Sequence, residues 1–468
     1  MRGIVAGSVY VPRFRLESEE LESAWGTNHA SGVGEKAVPA ADEDALTMAI
    51  AAARRVLDDA ALDRADLGTV AVATTNPPLE EGDVVPQLVR ALDLPSDVAS
   101  ATVTQHAAGG AEALSRALDA DGPALVVASD CPEGDPADAD HALGAGAAAF
   151  VIDDDSAVPI RDVTWHNDHA PGVRFRERGE RGVESLDITT YERTALREAV
   201  TETASALAVD LEDVGAAAIH QPDGGLPYRI TGDIPVSGEA VAAGTVADRI
   251  GDAGAATVPI GLLAALAEAE DDATLGVFVG GGTAAALACE GSLSVSGLED
   301  LEGGEPVEYA TYLRERGYVV DGEVAGGGAN VSLPNWRRSL EQRYRLVAGE
   351  CPDCGGVTFP PEGACQECHA RVEFEPVEAS RTGTTRAVTV IGQGGAPPEF
   401  AELQQRDGAY AVAIVELEAG GGTVTLPAQL TDVDPDSVAV GDEVRATIRK
   451  IYAQEGVPRY GVKFEPVE

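Results

Sequence analysis

Four of the six cysteines have the spacing of a metal site. They form two Cys-x-x-Cys turns separated by ten residues, and the four positions are Cys351, Cys354, Cys365 and Cys368. Each turn directs two thiolates to one centre, and two turns together complete a tetrahedron of sulfur around Zn²⁺. A redox dithiol and an iron–sulfur cluster are the alternatives. The paired turns and the short spacer favour zinc, and we expect a structural ion because four thiolates leave no position for water.

The other two cysteines, Cys131 and Cys289, stand alone, which is not the pattern of a disulfide framework. No apolar stretch approaches the roughly 20 residues that a membrane span needs. The segment that follows Met1 reads directly as a strand and lacks the anatomy of a signal peptide. We therefore expect a soluble, cytoplasmic protein without a membrane partner.

The charge balance is strongly acidic, with 79 acidic and 33 basic residues and a formal net charge of -46. Lysine occurs only at Lys36, Lys450 and Lys463, so arginine carries most of the positive charge. Adaptation to very high salt explains acidic residues spread through the whole chain, because ions at 1 M screen repulsion beyond about 3 Å. An acidic module for a basic partner is the alternative. A nucleic-acid partner is not expected, because phosphate contacts need a basic face.

The chain of 468 residues is long enough for two or three domains. Before residue 297, short apolar runs alternate with Ala-rich helical patterns. The runs that predict strands are Thr69–Thr74, Ala124–Ala128 and Ala147–Ile152, and the helical patterns are Asp42–Leu57 and Glu198–Leu207. This alternation predicts an α/β layered fold with a largely parallel sheet. The pattern occurs twice, over residues 1–165 and 166–296, which indicates a duplicated α-β-α unit.

The character of the sequence changes after residue 296. Residues 297–335 are acidic and glycine-rich and are predicted to be a linker. An Arg-rich helix over Trp336–Leu346 and the four cysteines form a predicted unit over 336–378. Residues 379–468 contain short strand-like runs that predict a small barrel: Ala387–Ile391, Tyr410–Leu417, Thr423–Pro427, Glu443–Ile451 and Arg459–Phe464.

Residues from about 337 to 468 resemble the DUF35 family of zinc-ribbon and OB-fold acyl-CoA-binding proteins. The matching order is Arg343-Tyr344-Arg345-Leu346, the first Cys-x-x-Cys, Phe359-Pro360-Pro361 and the second Cys-x-x-Cys. The resemblance implies a rubredoxin-like ribbon, a segment that helps hold the CoA arm, and a thiolase as a possible partner. The candidates for CoA binding are Arg337, Arg338, Arg343 and Arg345. A solvent-facing arginine cluster is the alternative for these four.

Residues from about 1 to 296 resemble hydroxymethylglutaryl-CoA synthases of the archaeal or bacterial type, within the thiolase superfamily. The matching motifs are Tyr10-Val11-Pro12-Arg13-Phe14-Arg15-Leu16, Gly34-Glu35-Lys36, Asp42-Glu43-Asp44 with Thr47-Met48-Ala49, Gly144–Phe150, His220-Gln221-Pro222-Asp223-Gly224 and Gly280-Gly281-Gly282-Thr283. The resemblance implies acyl-CoA condensation or acyl transfer and, by analogy with the superfamily, a homodimer. Gly281 and Gly282 are candidates for substrate binding.

The synthase reaction uses a Cys nucleophile, a Glu acid/base and a His that polarises the second substrate. His220 matches the family's histidine. The segment that carries the family's cysteine has Ala107 in one register and Ala108 in the other. Thr75 falls where the family has its glutamate, and Asp252 replaces the asparagine of a Gly-Asn motif. The resemblance therefore implies an acyl-CoA site that lacks the usual thiol.

Three hypotheses follow. In the first, the chain is an acyl-CoA enzyme that works without the cysteine, and its acid/base groups are His220, His106, Asp252 and Glu80 or Glu81. In the second, it is a non-catalytic scaffold that binds CoA thioesters and partners an active thiolase. In the third, the family chemistry proceeds in a way that the motif match does not reveal. Structural roles are the alternatives for single residues: a buried hydrogen-bonded His106, a helix cap at Asp252, and solvated carboxylates at positions 80 and 81.

Overall fold

The apolar runs and helical patterns before residue 297 form regular elements in the computed structural model, which describes residues 1–186, 189–270, 272–319, 332–392 and 400–467. The helices, in chain order, are α1 Ser18–Trp25, α2 Ala45–Asp59, α3 Val85–Leu92, α4 Gly109–Leu118, α5 Thr189–Ser205, α6 Leu226–Ile230, α7 Gly238–Gly244, α8 Ala247–Ile250, α9 Thr257–Glu268, α10 Tyr309–Glu315, α11 Leu333–Arg338, α12 Leu340–Arg345 and α13 Ala401–Asp407. No helix of the described residues is long and apolar enough to cross a bilayer.

The strands, in chain order, are β1 Gly3–Tyr10, β2 Phe14–Glu17, β3 Glu35–Val38, β4 Thr69–Ala73, β5 Ala99–Val103, β6 Ala124–Asp130, β7 Glu133–Gly134, β8 Gly146–Asp153, β9 Val158–Asn167, β10 Gly182–Val183, β11 Val214–Ile219, β12 Ala273–Gly280, β13 Thr283–Glu290, β14 Val295–Ser296, β15 Glu305–Pro306, β16 Val347–Glu350, β17 Val357–Thr358, β18 Glu375–Ile391, β19 Tyr410–Ala419, β20 Gly422–Gln429, β21 Glu443–Gln454 and β22 Val457–Pro466. The predicted strands in the first 296 residues correspond to β4, β6 and β8.

Contacts divide the chain into two compact units. The first unit comprises Met1–Ala40, Asp44–Val89 and Leu94–Tyr312, and the second comprises Ala41–Glu43, Arg90–Asp93 and Leu313–Glu468. The described part of the predicted linker 297–335 contains α10 as well as β15, and the C-terminal segment of the second unit, from Leu313, begins inside it.

The sheet of the first unit has the strand order β11-β12-β13-β9-β1-β8-β6-β4-β5. The expectation of a largely parallel sheet is wrong: β11 and β12 are parallel, as are β6, β4 and β5, but the pairings from β12 through to β6 are antiparallel. A tight turn between neighbouring strands explains why they pair antiparallel. The short turn at Gly281 and Gly282 joins β12 to β13, whereas a parallel neighbour needs a long crossover.

Duplication is visible in the strand order. Reading outward from the centre, β1-β8-β6-β4 matches β9-β13-β12-β11, with antiparallel, antiparallel and parallel pairings in both halves. Helices α4 and α9 each contact strands of both halves. Since α9 is apolar on all sides and buried from Thr257 to Leu266, it fits an interior layer. The predicted duplicated, thiolase-like α-β-α fold is confirmed.

In the second unit, β16 and β17 pair beside the long strand β18, which continues into the sheet with β19, β20, β21 and β22. Burial alternates along β19 and β20, as expected for strands with one face on a core. An isolated bridge between Leu430 and Phe464 brings the end of β20 to β22, so the sheet curves into a barrel. The predicted zinc ribbon and OB-fold are confirmed.

The single helix expected over Trp336–Leu346 is instead two helices, α11 and α12. The break lies at Ser339, whose hydroxyl donates to the carbonyl oxygens of Asn335 and Trp336, both at 3.1 Å. Serine competes with the helix for backbone groups in this way, so a boundary at this residue has a local cause.

Candidate functional site

The four cysteines of the ribbon converge on one point. Their sulfur atoms all lie within 4.8 Å of one another. The Sγ atoms of Cys351 and Cys368 are 3.8 Å apart, and those of Cys354 and Cys365 are 3.6 Å apart. A tetrahedral Zn²⁺ with Zn–S bonds of about 2.3 Å requires sulfur–sulfur distances of about 3.8 Å. The donor set and its spacing therefore fit Zn²⁺.

Both cysteine turns use the same local geometry. Cys351 donates from its N–H to Gly356 and accepts from the N–H of Gly355, which has a φ of 74°. At the equivalent place in the second turn, Cys365 accepts from the N–H of His369, which has a φ of 60°. The left-handed conformation is easy for glycine and unusual for histidine. Backbone N–H groups of Cys368 and Glu367 lower the pKa of Cys365 to about 6, whereas desolvation and hydrogen bonds with other cysteines raise the pKa of Cys354 and Cys368.

A cavity of about 520 Å³ lies in the second unit among α11, α12, the ribbon and the barrel. We call it the arginine cavity; its lining includes Arg338, Arg343, Phe359, Leu426 and Val462. Among the described residues, neither of these two arginines forms an ion pair, although the chain is strongly acidic. An apolar wall with two available guanidinium groups suits a ligand that has both an aromatic ring and phosphates.

The four arginines predicted to bind CoA have different environments. The Arg343 guanidinium lies 4.1 Å from the ring centre of the buried Trp336, a cation–π contact, and burial lowers its pKa. Arg338 donates to the side chain of Asn335. Arg337 is exposed and does not line the cavity. Arg345 is engaged with the carboxylate of Glu378 at 3.3 Å and also does not line it.

In the first unit, the predicted nucleophile position lies at the start of α4. Ala107 is 7% exposed and Ala108, the residue before the helix, is fully buried. The turn between β12 and β13 packs directly on their backbone: a Cβ placed on Gly280 would come within 2.7 Å of the Ala107 nitrogen and 2.8 Å of the Ala108 nitrogen. Only glycine fits there. The backbone is therefore arranged closely around this point, but neither position offers a nucleophilic side chain.

His220 follows directly after β11, and its N–H donates to the carbonyl of Val277 at 2.8 Å. Burial lowers the pKa of its imidazole to about 4; the charge of Asp252 opposes this change and the charge of Arg174 adds to it. The side chain of the neighbouring Gln221 bonds to the backbone: its Nε2 donates to the carbonyl of Gly244, and its Oε1 accepts from the N–H groups of Val246 and Ala247. His220 is therefore a neutral imidazole at neutral pH, able to donate or accept one proton.

Asp252 has no free oxygen. Its Oδ1 accepts from the N–H of Gly254 at 2.9 Å and from the hydroxyl of Thr257 at 2.7 Å, and its Oδ2 forms an ion pair with Arg174. The side chain of Asp252 is 3% exposed and that of Arg174 is 20% exposed. This bonding favours a positioning role for Asp252 over direct proton transfer.

Thr75, at the position predicted for the family's glutamate, lies against a second buried carboxylate. The backbone N–H and hydroxyl of Thr75 donate to Oδ2 of Asp130 at 2.9 and 2.6 Å, and Ala255 donates to the same oxygen at 3.0 Å. Burial raises the pKa of Asp130, which is fully enclosed. Asp130 therefore joins the ends of β4 and β6 to the segment after Asp252.

Two cavities adjoin His220. The first cavity, of about 360 Å³, is lined by residues that include Asn167, Glu198, Gly281 and Gly282. The second cavity, of about 350 Å³, is lined by residues that include His29, Asp138, Asp252 and Arg229. Both are lined by Val173, Arg174, Leu196 and His220. The structure thus brings together three of the predicted site residues at the first cavity, His220, Gly281 and Gly282, and adds Arg174.

The other candidates of the first unit lie elsewhere. His106 bonds through Nε2 to Glu112 at 3.0 Å; it touches the turn at Gly281 but lines neither cavity. Glu80 and Glu81 are exposed. Burial raises the pKa of Cys289 to about 12, which leaves it an unreactive thiol, and Cys131 is 4% exposed beside Asn76.

Comparison with known proteins gives different relatives for the two ends of the chain. Two family models match its C-terminal region: the rubredoxin-like zinc ribbon domain of ChsH2 over residues 338–375 and the C-terminal OB-fold domain of ChsH2 over residues 376–449. A DUF35 domain-containing scaffold protein of Methanothermobacter thermautotrophicus is 38% identical over 137 residues, which are 29% of this chain and 96% of that protein. The chain belongs to the DUF35 family through its C-terminal region.

The N-terminal region is similar to hydroxymethylglutaryl-CoA synthases. The enzyme of Methanopyrus kandleri is 28% identical over 338 residues, which are 69% of this chain and 96% of that protein. A crystal structure of an HMG-CoA synthase complexed with CoA superposes with a TM-score of 0.62 and 17% identity, covering 71% of this chain and 94% of that one. Both resemblances inferred from the sequence are confirmed: a synthase-like region is fused to a DUF35 region.

Sequence reasoning did not find Arg174, Asp130 or Trp336. Arg174 and Asp130 have no motif of their own, and their roles come from contacts with residues distant in the chain. One signal was present: aspartate instead of asparagine at position 252 places a charge in a buried site, and a buried charge requires a partner. A search for an arginine near Asp252 would have been justified on that ground.

Proposed function

We propose that the chain binds CoA thioesters and serves the acyl-CoA condensation chemistry of the hydroxymethylglutaryl-CoA synthase family without a cysteine-linked acyl intermediate. The observation that carries the proposal is the arginine cavity, where Arg338 and Arg343 have no carboxylate partner among the described residues. The relatives support it, since one set is named for a CoA-dependent synthase and the other for a DUF35 scaffold.

In this proposal the arginine cavity holds the nucleotide end of CoA. Phe359, Leu426 and Val462 offer an apolar surface for the adenine, and the two guanidinium groups suit phosphate oxygens. Arg337 and Arg345, the other two arginines predicted to bind CoA, are left out of this proposal because neither lines the cavity and Arg345 is engaged with Glu378. The ribbon holds α12 and the barrel in place through a structural Zn²⁺ at its four cysteines.

A separate site for an acyl thioester is proposed in the first unit, beside His220, Gly281 and Gly282. His220 is the proposed acid/base group, because it is neutral and lines both cavities. Asp252 and His106 are proposed to act on the site indirectly: Asp252 through Arg174, and His106 through its contact with Gly281. With alanine at positions 107 and 108, the acyl group passes directly from the bound thioester to the acceptor, and the CoA thiol leaves.

Titration calorimetry with CoA in high salt tests the nucleotide site. Arg338→Ala and Arg343→Ala should each weaken CoA binding roughly tenfold, the effect expected for loss of a charge-assisted hydrogen bond. Arg337→Ala is the matched control and should bind CoA as the unmodified protein does. Unchanged affinity in both of the first two variants, with zinc still bound, would show that CoA does not use this cavity.

A non-catalytic scaffold that partners an active thiolase is the second candidate function. The missing thiol at positions 107 and 108 favours it, as does the similarity to a DUF35 domain-containing scaffold protein. A homodimer is also proposed: β5 forms an edge of the sheet, is uncharged and is partly exposed from Ala99 to Val103, so a second copy could pair with it.

The proposed location is the cytoplasm, where thiolates for zinc stay reduced.

Intact-mass measurement separates the two functions. After incubation with acetyl-CoA and acetoacetyl-CoA, the scaffold predicts no covalent adduct and no release of free CoA, whereas an enzyme predicts turnover. A covalent adduct that persists in the Cys131→Ala/Cys289→Ala double variant would exclude the scaffold. Co-purification with a thiolase, together with no turnover by the chain alone, would exclude the stand-alone enzyme.

A further inference from the structure

Arg174 lies at the wall that the two cavities share, together with His220. We propose that Arg174 is a substrate-binding residue that donates to the carbonyl oxygen of a neutral acyl thioester held beside His220. This inference rests on the proposed function, because it names the chemical group that the acyl end presents to the site.

Of the ion pair between Arg174 and Asp252, only the arginine is open to a ligand. Asp252 is 3% exposed, and its oxygens are taken by Gly254, Thr257 and Arg174. Arg174 is 20% exposed, binds Asp252 through Nη1, and has a buried Nη2 without an acceptor among the described residues. A buried donor without a partner is costly, and a carbonyl oxygen entering from either cavity supplies the missing acceptor.

The substitution at position 252 gives an independent reason. An asparagine, as in the family's Gly-Asn motif, offers both an amide donor and an acceptor, whereas an ionised aspartate only accepts. The donor lost at position 252 therefore has to come from elsewhere. Arg174 restores it, because a guanidinium can pair with Asp252 on one side and still present further N–H groups.

The charges around the cavities favour a neutral ligand over a carboxylate. Among the residues that line the first cavity, Arg174 carries the only permanent positive charge, against the carboxylates of Asp168, Glu198 and Glu202. The second cavity is lined by three arginines and four carboxylates, and one of the arginines, Arg229, is paired with Asp223. A free carboxylate would be repelled, whereas a carbonyl oxygen that gains negative charge only during enolisation is stabilised by Arg174.

The test compares how tightly CoA, acetoacetyl-CoA and malonyl-CoA bind, by titration calorimetry in high salt. The unmodified protein should bind acetoacetyl-CoA more tightly than CoA, and malonyl-CoA should show no such gain. Arg174→Met should reduce the preference for acetoacetyl-CoA over CoA by roughly tenfold while leaving the affinity for CoA itself within about twofold. A merely structural role for Arg174 would not affect one ligand and spare the other.

Arg174→Lys is the second variant, in case Arg174→Met fails to fold, because lysine keeps a positive charge next to Asp252. It should also lose most of the preference, since one ammonium cannot hold the aspartate and present a fixed second donor. Arg197→Met is the control. Arg197 lies on α5, the helix that also contributes Leu196 to the cavity wall, but it pairs with Asp233 and lines neither cavity.

An undiminished preference for acetoacetyl-CoA in both Arg174 variants would overturn the inference, as would an Arg174-dependent preference for malonyl-CoA. If the unmodified protein bound none of the three compounds, the proposed function would fall and this inference with it. Binding of all three with equal affinity would overturn the inference alone.

Discussion

At the scale of single residues, the two alanines at the start of α4 differ in the room that they have. Ala107 is 7% exposed and Ala108 is fully buried, and the turn at Gly280 packs against the backbone of both. A thiol at position 107 would therefore be reachable by a thioester, whereas a thiol at position 108 would be enclosed. This difference favours, between the two registers left open by the sequence, the one that places Ala107 at the position of the family's cysteine.

We predict that Ala107→Cys becomes acetylated by acetyl-CoA, because exchange between thioesters is nearly balanced in energy and only a reachable thiolate can react. Ala108→Cys is the matched control and should stay unmodified. Intact mass before and after treatment with hydroxylamine, which cleaves thioesters, measures the adduct. Acetylation of the Ala108→Cys protein alone would show that the other register is correct.

His220 gives a pH prediction. Its pKa is lowered from 6.5 to about 4, mainly by burial, so the folded chain binds fewer protons than the unfolded chain between these two values. The free energy of unfolding therefore falls as the pH drops from about 6.5 to about 4, and the contribution of His220 is fully present above 6.5. NMR of histidine side chains, with His220→Gln to assign the signal, should show a neutral imidazole at pH 5.5.

The same variant provides the control for stability. Since His220→Gln has no group to protonate in this window, the unmodified protein should lose more stability than the variant between pH 7 and pH 5, when both are compared in the same salt. A His220 signal that titrates near 6.5 would contradict the burial on which this prediction rests.

The sequence identified the residues that form motifs and missed those that act through distant contacts. His220, Gly281 and Gly282 were found because their motifs are local, and the structure brings them to one cavity. Arg174 lies in an irregular segment between β9 and β10, where no periodicity or spacing marks it. Its importance arises only when folding places it against Asp252.

At the scale of elements, periodicity predicted which segments form strands but not how they pair. β4, β6 and β8 are recognisable as apolar runs, yet a buried strand looks the same in a parallel and in an antiparallel sheet. The connection between two strands determines the direction of their pairing: the short glycine turn places β13 antiparallel to β12 and directly beside it. The cysteine turns, by contrast, were predictable in position and purpose, because four ligands at fixed spacing admit few geometries.

The first of these turns allows a clean test of backbone conformation. Gly355 has a φ of 74°, and a Cβ placed there would meet no atom within 4 Å. Gly355→Ala should therefore destabilise the ribbon by about 1–2 kcal/mol through conformation alone. Release of zinc to a chromogenic chelator, followed as a function of urea, measures the change.

Gly421 is the matched control, because it also has open space around it but lacks the left-handed conformation. Gly421→Ala should not destabilise the ribbon. In the second turn, His369→Gly should ease the φ of 60° that histidine adopts there and should delay the release of zinc. Equal effects of the alanine variants at 355 and 421 would show that backbone conformation is not the cause.

At the scale of the whole molecule, the placement of the few lysines reflects the acidic composition. Lys36 and Lys463 are each 1% exposed. Within the first unit, the ammonium of Lys36 bonds the carboxylate of Asp140 at 2.8 Å and the hydroxyl of Tyr312 at 3.0 Å. Two of the three lysines are thus retained where a buried carboxylate needs a cation, whereas Lys450 is half-buried. This distribution supports the proposed adaptation to high salt.

We predict that stability rises steeply with KCl. A net charge of -46 makes the folded state repel itself, and the screening length falls from about 10 Å at 0.1 M to about 3 Å at 1 M. Thermal unfolding, followed by calorimetry with zinc present, should therefore shift to higher temperature over this range. Sucrose at matched osmolality is the control, since it is excluded from the protein surface but does not screen charge. An equal gain in sucrose and in KCl would mean that exclusion, and not screening, stabilises the chain, because only an ionic solute can reduce the repulsion between its carboxylates.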